Sequence, residues 1–105
     1  MTLDKTELMN AYLDFYGMLL TDKQREALEY YYRENYSYAE IAENISTSRS
    51  AVYDLIKSSE ALLEYYEEKM QLLEKYMKRK KCYEKLNALN IDEVTEIVAE
   101  CMETE

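Results

Sequence analysis

From end to end the chain holds no proline and a single glycine, Gly17. Proline ends helices and starts turns, and glycine supplies the positive φ that tight hairpins need. Without them a β-rich fold of 105 residues has little with which to turn its strands, whereas helices lose nothing. Glu, Lys, Leu, Ala and Met are abundant, and these residues give up little conformational freedom on becoming helical. With 48% apolar residues the chain can also build a core. The fold class is all-α.

Helix starts are marked by short polar residues followed three positions later by Glu or Gln. Asp4 with Glu7 precedes an apolar stripe of Leu8, Tyr12, Phe15, Tyr16 and Leu19. Gly17 either ends this helix or lets another cross it closely. Thr21 with Gln24 opens a second helix that turns Ala27, Leu28, Tyr31 and Tyr32 inward, with Leu20 as a staple before the cap. Ser37 with Glu40 opens a short helix carrying Ile41, Ala42 and Ile45, and Ser48 caps the next. Asn90 with Glu93 would cap a last helix whose apolar side is Ile91, Val94, Ile97, Val98 and Cys101.

Between Arg49 and about Cys82 nothing stops a helix. Such a helix would be about 50 Å long at about 1.5 Å per residue, against a radius of gyration of about 13 Å for a compact chain of this size. Its far stripe needs a cover. The C-terminal segment and a second copy of the chain are both expected to supply one, so a homodimer is expected, with Leu62, Tyr66, Met70, Leu73 and Met77 at its interface. The organisation that follows is a helix-turn-helix domain over residues 1–60, then a helical extension and C-terminal helix over residues 61–105 used for dimerisation.

The segment YAEIAENISTSRSAVYDLI (residues 38–56) has the makings of a helix-turn-helix. Ala42 is the small residue where two helices touch, and Val52 anchors the second helix against Ile41 and Ile45. Ser48 then caps a helix whose first turns present Arg49, Ser50, Tyr53 and Lys57, the positions from which a recognition helix reaches bases and phosphates. With Lys23 and Arg25 on the preceding helix, these are the candidate nucleic-acid-binding residues.

The longer stretch DFYGMLLTDKQREALEYYYRENYSYAEIAENISTSRSAVYDLIKSSEALLEYYEEKM resembles the bacterial YlxM family, over roughly Met9 to Met70. FYGMLLTDKQRE and SRSAVYDLIK carry the resemblance. It implies a core similar to region four of sigma factors and a regulatory or accessory role in the signal-recognition-particle pathway. The alternative is a dimeric DNA-binding transcriptional regulator. Three features depart from the family pattern: Ser46 stands where the family reads Gly, Thr47 where it reads an aliphatic residue, and Ser58 and Ser59 where basic residues are usual. The Gly position wants a left-handed backbone.

Charge bears on the choice. The chain is −9 overall, and residues 20–68 hold five cationic against eleven acidic side chains, a net of −6. Affinity for nucleic acid comes mainly from neutralising phosphates, and Asp54 sits in the recognition helix itself. Weak or partner-assisted DNA binding is the most this allows. The basic stretch lies further on. Residues 69–85 are +5 and residues 86–105 are −6. Lys75, Lys78, Arg79, Lys80, Lys81 and Lys85 form an alternative patch for RNA, with Tyr76 or Tyr83 as a stacking face, for an acidic protein, or for the chain's own acidic tail across a dimer.

The remaining features exclude rather than point. There is no His and no Gly-rich phosphate loop, so no catalytic constellation, cofactor, metal site or small-molecule substrate is expected. Cys82 and Cys101 read as free thiols. No run reaches the roughly 20 apolar residues of a membrane span, and MTLDKTELMN lacks the features of a secretory signal. A cytoplasmic setting is expected.

Overall fold

The computed structural model describes residues 3–105. Every regular element among them is helical: α1 (Lys5–Tyr16), a 3-10 turn (Gly17–Leu19), α2 (Asp22–Tyr32), α3 (Tyr38–Asn44), α4 (Arg49–Met70), α5 (Leu72–Asn87) and α6 (Asp92–Glu103). Each early start is set by the cap that the sequence indicates. Asp4 accepts from the Glu7 amide at 2.8 Å. Thr21 with Gln24 and Ser37 with Glu40 form complete reciprocal capping boxes, and Ser48 accepts from Ala51. The contact with Ser37 holds the Glu40 carboxyl below its ordinary pKa.

The chain divides into two compact units, one ending at Gln71 and the other spanning Leu72–Glu105. The boundary drawn from the sequence at residue 60 falls inside α4. In the first unit α1, α2 and α3 all pack on α4. The core is Met9, Leu13, Tyr16, Leu20, Ala27, Leu28, Tyr32, Ile41, Ala42, Val52, Ile56 and Leu63. At about 1.5–3 kcal/mol for each large apolar side chain removed from water, this cluster is the main source of the unit's stability.

Three sequence expectations change. The innermost line of α1 is Met9, Leu13 and Tyr16, while Tyr12 and Phe15 are only partly buried and Leu19 is half exposed. Because α1 touches both α2 and α4, its buried arc is wider than one stripe and its centre is displaced. Next, the helix from Arg49 stops at Met70: Gln71 adopts φ 55° and ψ 34°, a left-handed cap that ends α4 before α5 begins. No Gly or Pro marks that break. Finally, Asn90 does not cap α6. Ile91 is the N-cap with no side-chain bond, and Asn90, at φ 56°, turns the chain by its tolerance of left-handed geometry. Asp92 and Glu93 in the first turn of α6 complement the helix dipole instead.

Gly17 caps α1 in ordinary right-handed geometry at φ −54°. Its neighbours lie at ordinary contact distance from where a Cβ would be. It therefore ends the helix without glycine being needed for space or conformation.

The turn between α3 and α4 does strain a side-chain-bearing residue. Ser46 takes φ 55°, and the Thr47 amide reaches back to the Ala42 carbonyl at 3.0 Å, the long bond of a Schellman closure. Left-handed geometry costs a non-glycine residue about 1–2 kcal/mol, partly offset by glycine's extra freedom when unfolded. Ser46→Gly is therefore expected to stabilise the protein by about 0.5–1 kcal/mol. Urea denaturation would show a raised midpoint at unchanged slope, and an unmoved midpoint contradicts the strain.

Candidate nucleic-acid interface

The helix-turn-helix is built as its sequence implies. Ala42 on α3 and Val52 on α4 are both buried where the helices meet. Ser48, Arg49, Ser50, Tyr53 and Lys57 are all exposed on the first turns of α4. Two of these are already committed. Ser48 spends its hydroxyl on the cap, with the Ser50 hydroxyl 3.4 Å away. Lys57 lies 5.5 Å from the centroid of the Tyr53 ring, and its Nζ is 3.8 Å from Glu60 Oε1. Tyr53 is itself edge-on to Tyr38 at 5.6 Å.

On α2, Lys23 is exposed. The Arg25 guanidinium is held by Asp22 at 2.6 Å and reaches toward the Gly17 carbonyl. Asp54 is exposed on α4. Of the four cations proposed for this face, Arg49 and Lys23 have no carboxylate within ion-pair distance among the described residues, and Arg25 and Lys57 do.

Sequence reading missed the carboxylate under this face. Glu60 is 6% exposed. It accepts from the Tyr32 hydroxyl, and Lys5 and Lys57 approach the same Oε1 at 3.4 and 3.8 Å. The group ties α1, α2 and α4 together. Its partners Lys5, Tyr32 and Lys57, with Thr6, Tyr31, Asn35 and Tyr36, line a polar crevice of about 290 Å³. A signal was present: Val52, Ile56, Glu60 and Leu63 follow helical spacing, which puts an acid on the core line. Ser59 shares that burial and bonds the Leu55 carbonyl at 2.6 Å.

Aromatic side chains edge the same unit. Tyr30 stacks on Tyr36 and Tyr31 on Tyr38, at 5.1 and 5.2 Å between centroids. Of the three consecutive tyrosines only Tyr32 is buried, and the other two are rim.

The second patch lies on α5. Arg79 is bonded to Glu105 at 2.6 Å, and the Tyr83 hydroxyl donates to the same carboxylate at 2.9 Å. Arg79 holds the Glu105 carboxyl below its usual pKa, while the bond to Glu105 pushes the Tyr83 phenol up. Lys78 pairs with Glu74 at 3.4 Å along its own helix. Lys75, Lys80, Lys81 and Lys85 are exposed and have no ion pair among the described residues. Steps of three and four place Lys75, Lys78, Lys81 and Lys85 along one outward face, about 15 Å from end to end.

The residues expected at a dimer interface are spread over several environments. Leu62 and Tyr66 pack against the core of the first unit. Met70 is 36% exposed and Leu73 is buried, and Met77 is half-buried. Cys82 and Cys101 are free and exposed. Among the described residues no helix is long and apolar enough to cross a membrane.

Fold and face together define an all-α helix-turn-helix protein. Residues 3–101 match the family described as "Putative helix-turn-helix protein, YlxM / p13 like". The chain is 51% identical over 89 residues to the UPF0122 protein YlxM of Bacillus subtilis, covering 85% of this chain and 81% of that one. It is 45% identical over 103 residues to a UPF0122 protein of Exiguobacterium sibiricum, with 98% and 97% covered. A UPF0122 protein of Bacillus pumilus is 45% identical over 102 residues, with 97% and 93% covered. The chain belongs to the YlxM / p13-like family.

The Glu60 cluster makes a pH prediction. Burial first, and then the bond to Glu60, push the Tyr32 phenol above its ordinary value of 10.0. The bond with Tyr31 pushes Tyr38 up to about 12. A raised phenol contributes stability that is complete below the unfolded value and lost as pH climbs beyond it, because only the unfolded chain ionises freely. Stability should be flat through neutral pH and fall above pH 10.0, with a shallower fall in Tyr32→Phe. That variant should also lose about 1–3 kcal/mol at neutral pH by taking a bond from a buried carboxylate. Thermal melts of both proteins from neutral to alkaline pH test this, and parallel curves would contradict it.

Proposed function

We propose that this protein is a regulatory or accessory component of the signal-recognition-particle pathway, acting in the cytoplasm through contacts with the particle's RNA and protein. It uses the helix-turn-helix as a scaffold and α5 as its nucleic-acid contact. The observation that carries this reading is the disposition of cations. The outward face of α5 keeps Lys75, Lys81 and Lys85 exposed and unpaired among the described residues, with Lys78 between them. The helix-turn-helix face instead has Arg25 and Lys57 drawn onto carboxylates and a buried acid beneath it. Phosphate affinity scales with the cations available to displace counterions, which favours α5. The pathway itself comes from the family resemblance.

A second reading, a DNA-binding regulator, draws on Arg49. It is exposed at the first position of α4 and free of carboxylate partners among the described residues, as a base- or phosphate-contacting side chain would be.

Mobility shifts of the full chain with the particle RNA and with promoter DNA, each over a salt series, separate the two. The expected result is RNA binding whose salt slope falls by about one for each of Lys78, Lys81 and Lys85 changed to Gln, with little effect of Arg49→Ala. DNA binding lost on Arg49→Ala and indifferent to the α5 changes would establish the second reading instead.

A further inference from the structure

The C-terminal unit, Leu72–Glu105, is a helical hairpin of fewer than about 40 residues, a size that usually needs a disulfide, a metal or another chain to be stable. Its two cysteines are free, and no cluster of metal-ligating side chains occurs among the described residues. Only Leu73 and Val98 are buried in it, while Leu86, Leu89 and Ile97 are 41%, 58% and 58% exposed.

These exposed residues share a side. On α5 the inward line runs through Leu73 and Tyr83, and Leu86 lies on one flank of it together with Arg79. On α6 the inward line runs through Val94 and Val98, and Ile97 lies on one flank of it. In projection down two antiparallel right-handed helices those flanks face the same way. Leu89, in the turn between the helices, lies at the same end. The result is an apolar patch bordered on the α5 side by lysines and on the α6 side by Glu93, Glu96 and Glu100.

We propose that this patch is a self-association face, and that a second copy of the chain covers it to form a four-helix bundle. The borders select that occupant. A two-fold axis parallel to the helices lays α5 of one copy against α6 of the other, so each basic border meets an acidic one. The other isologous arrangement would set basic against basic and acidic against acidic. Residues 69–85 are +5 and residues 86–105 are −6, so the pairing is nearly neutral without any third component. The bordering lysines, Lys75, Lys78 and Lys85, belong to the stripe proposed to contact RNA, and the test of this face needs no RNA.

Sedimentation equilibrium of the full chain across the micromolar range is expected to give twice the 12.6 kDa chain mass. Ile97→Asp should weaken the dimer by about a hundredfold or more, because it buries a charge at the patch twice. Met102→Asp, exposed on the opposite flank of α6, should leave the mass unchanged. Circular dichroism of both variants reports whether the helices survive. A monomer mass for the unaltered chain at every concentration overturns the proposal. So does a dimer that tolerates Ile97→Asp, or one that Leu62→Asp on α4 dissolves while Ile97→Asp does not.

Discussion

One line of side chains on α4 holds the helix-turn-helix unit together. Val52, Ile56 and Leu63 are fully buried, and α1, α2 and α3 each rest on the helix that carries them. Glu60 sits on that same line. Burying a carboxylate is expensive unless it is paired and hydrogen-bonded, and here Tyr32, Lys5 and Lys57 all serve it. The cost explains why those partners come from three different helices: the acid is tolerable only when the whole unit is assembled around it. A hydrophobic side chain of similar size could be as stable, so the cluster fixes an arrangement more than it adds stability.

The same acid shapes the surface above it. Lys57 lies one turn beyond the residues that a recognition helix would lead with, and Glu60 draws its ammonium inward. Arg25 is paired with Asp22 at the surface of α2. The helix-turn-helix lies in a stretch with a net charge of −6, and two of its four candidate cations are paired with carboxylates. The cations left outward are concentrated on α5, where the only bonds to the chain's acids are Arg79 to Glu105 and Lys78 to Glu74 among the described residues. Shape and charge have been placed on different units of one chain.

Features with a local chemical cause were legible in the sequence. The caps at Thr21, Ser37 and Ser48 needed only a hydroxyl and a neighbour three residues on, and each forms. The left-handed turn at Ser46 could be read because the family resemblance implies a Gly at that place. Features decided by packing were not. Gln71 is an ordinary helix former, and its left-handed cap leaves no mark in composition. The true inner line of α1 depended on which neighbours it would meet. Glu60 was legible in principle, since its spacing from Ile56 puts it on the core line, but a charged residue is rarely counted as core. At the candidate interface the exposed residues were found, and the intramolecular pairing that halves their available charge was not.

The central claim is that nucleic acid meets this protein at α5 and not at the groove-reading face of α4. The most direct measurement is a backbone amide NMR titration of the full chain with the signal-recognition-particle RNA. Shifts concentrated in residues 75–85 and sparing residues 48–57 are the predicted outcome. Shifts concentrated in residues 48–57, with 75–85 unmoved, would contradict it.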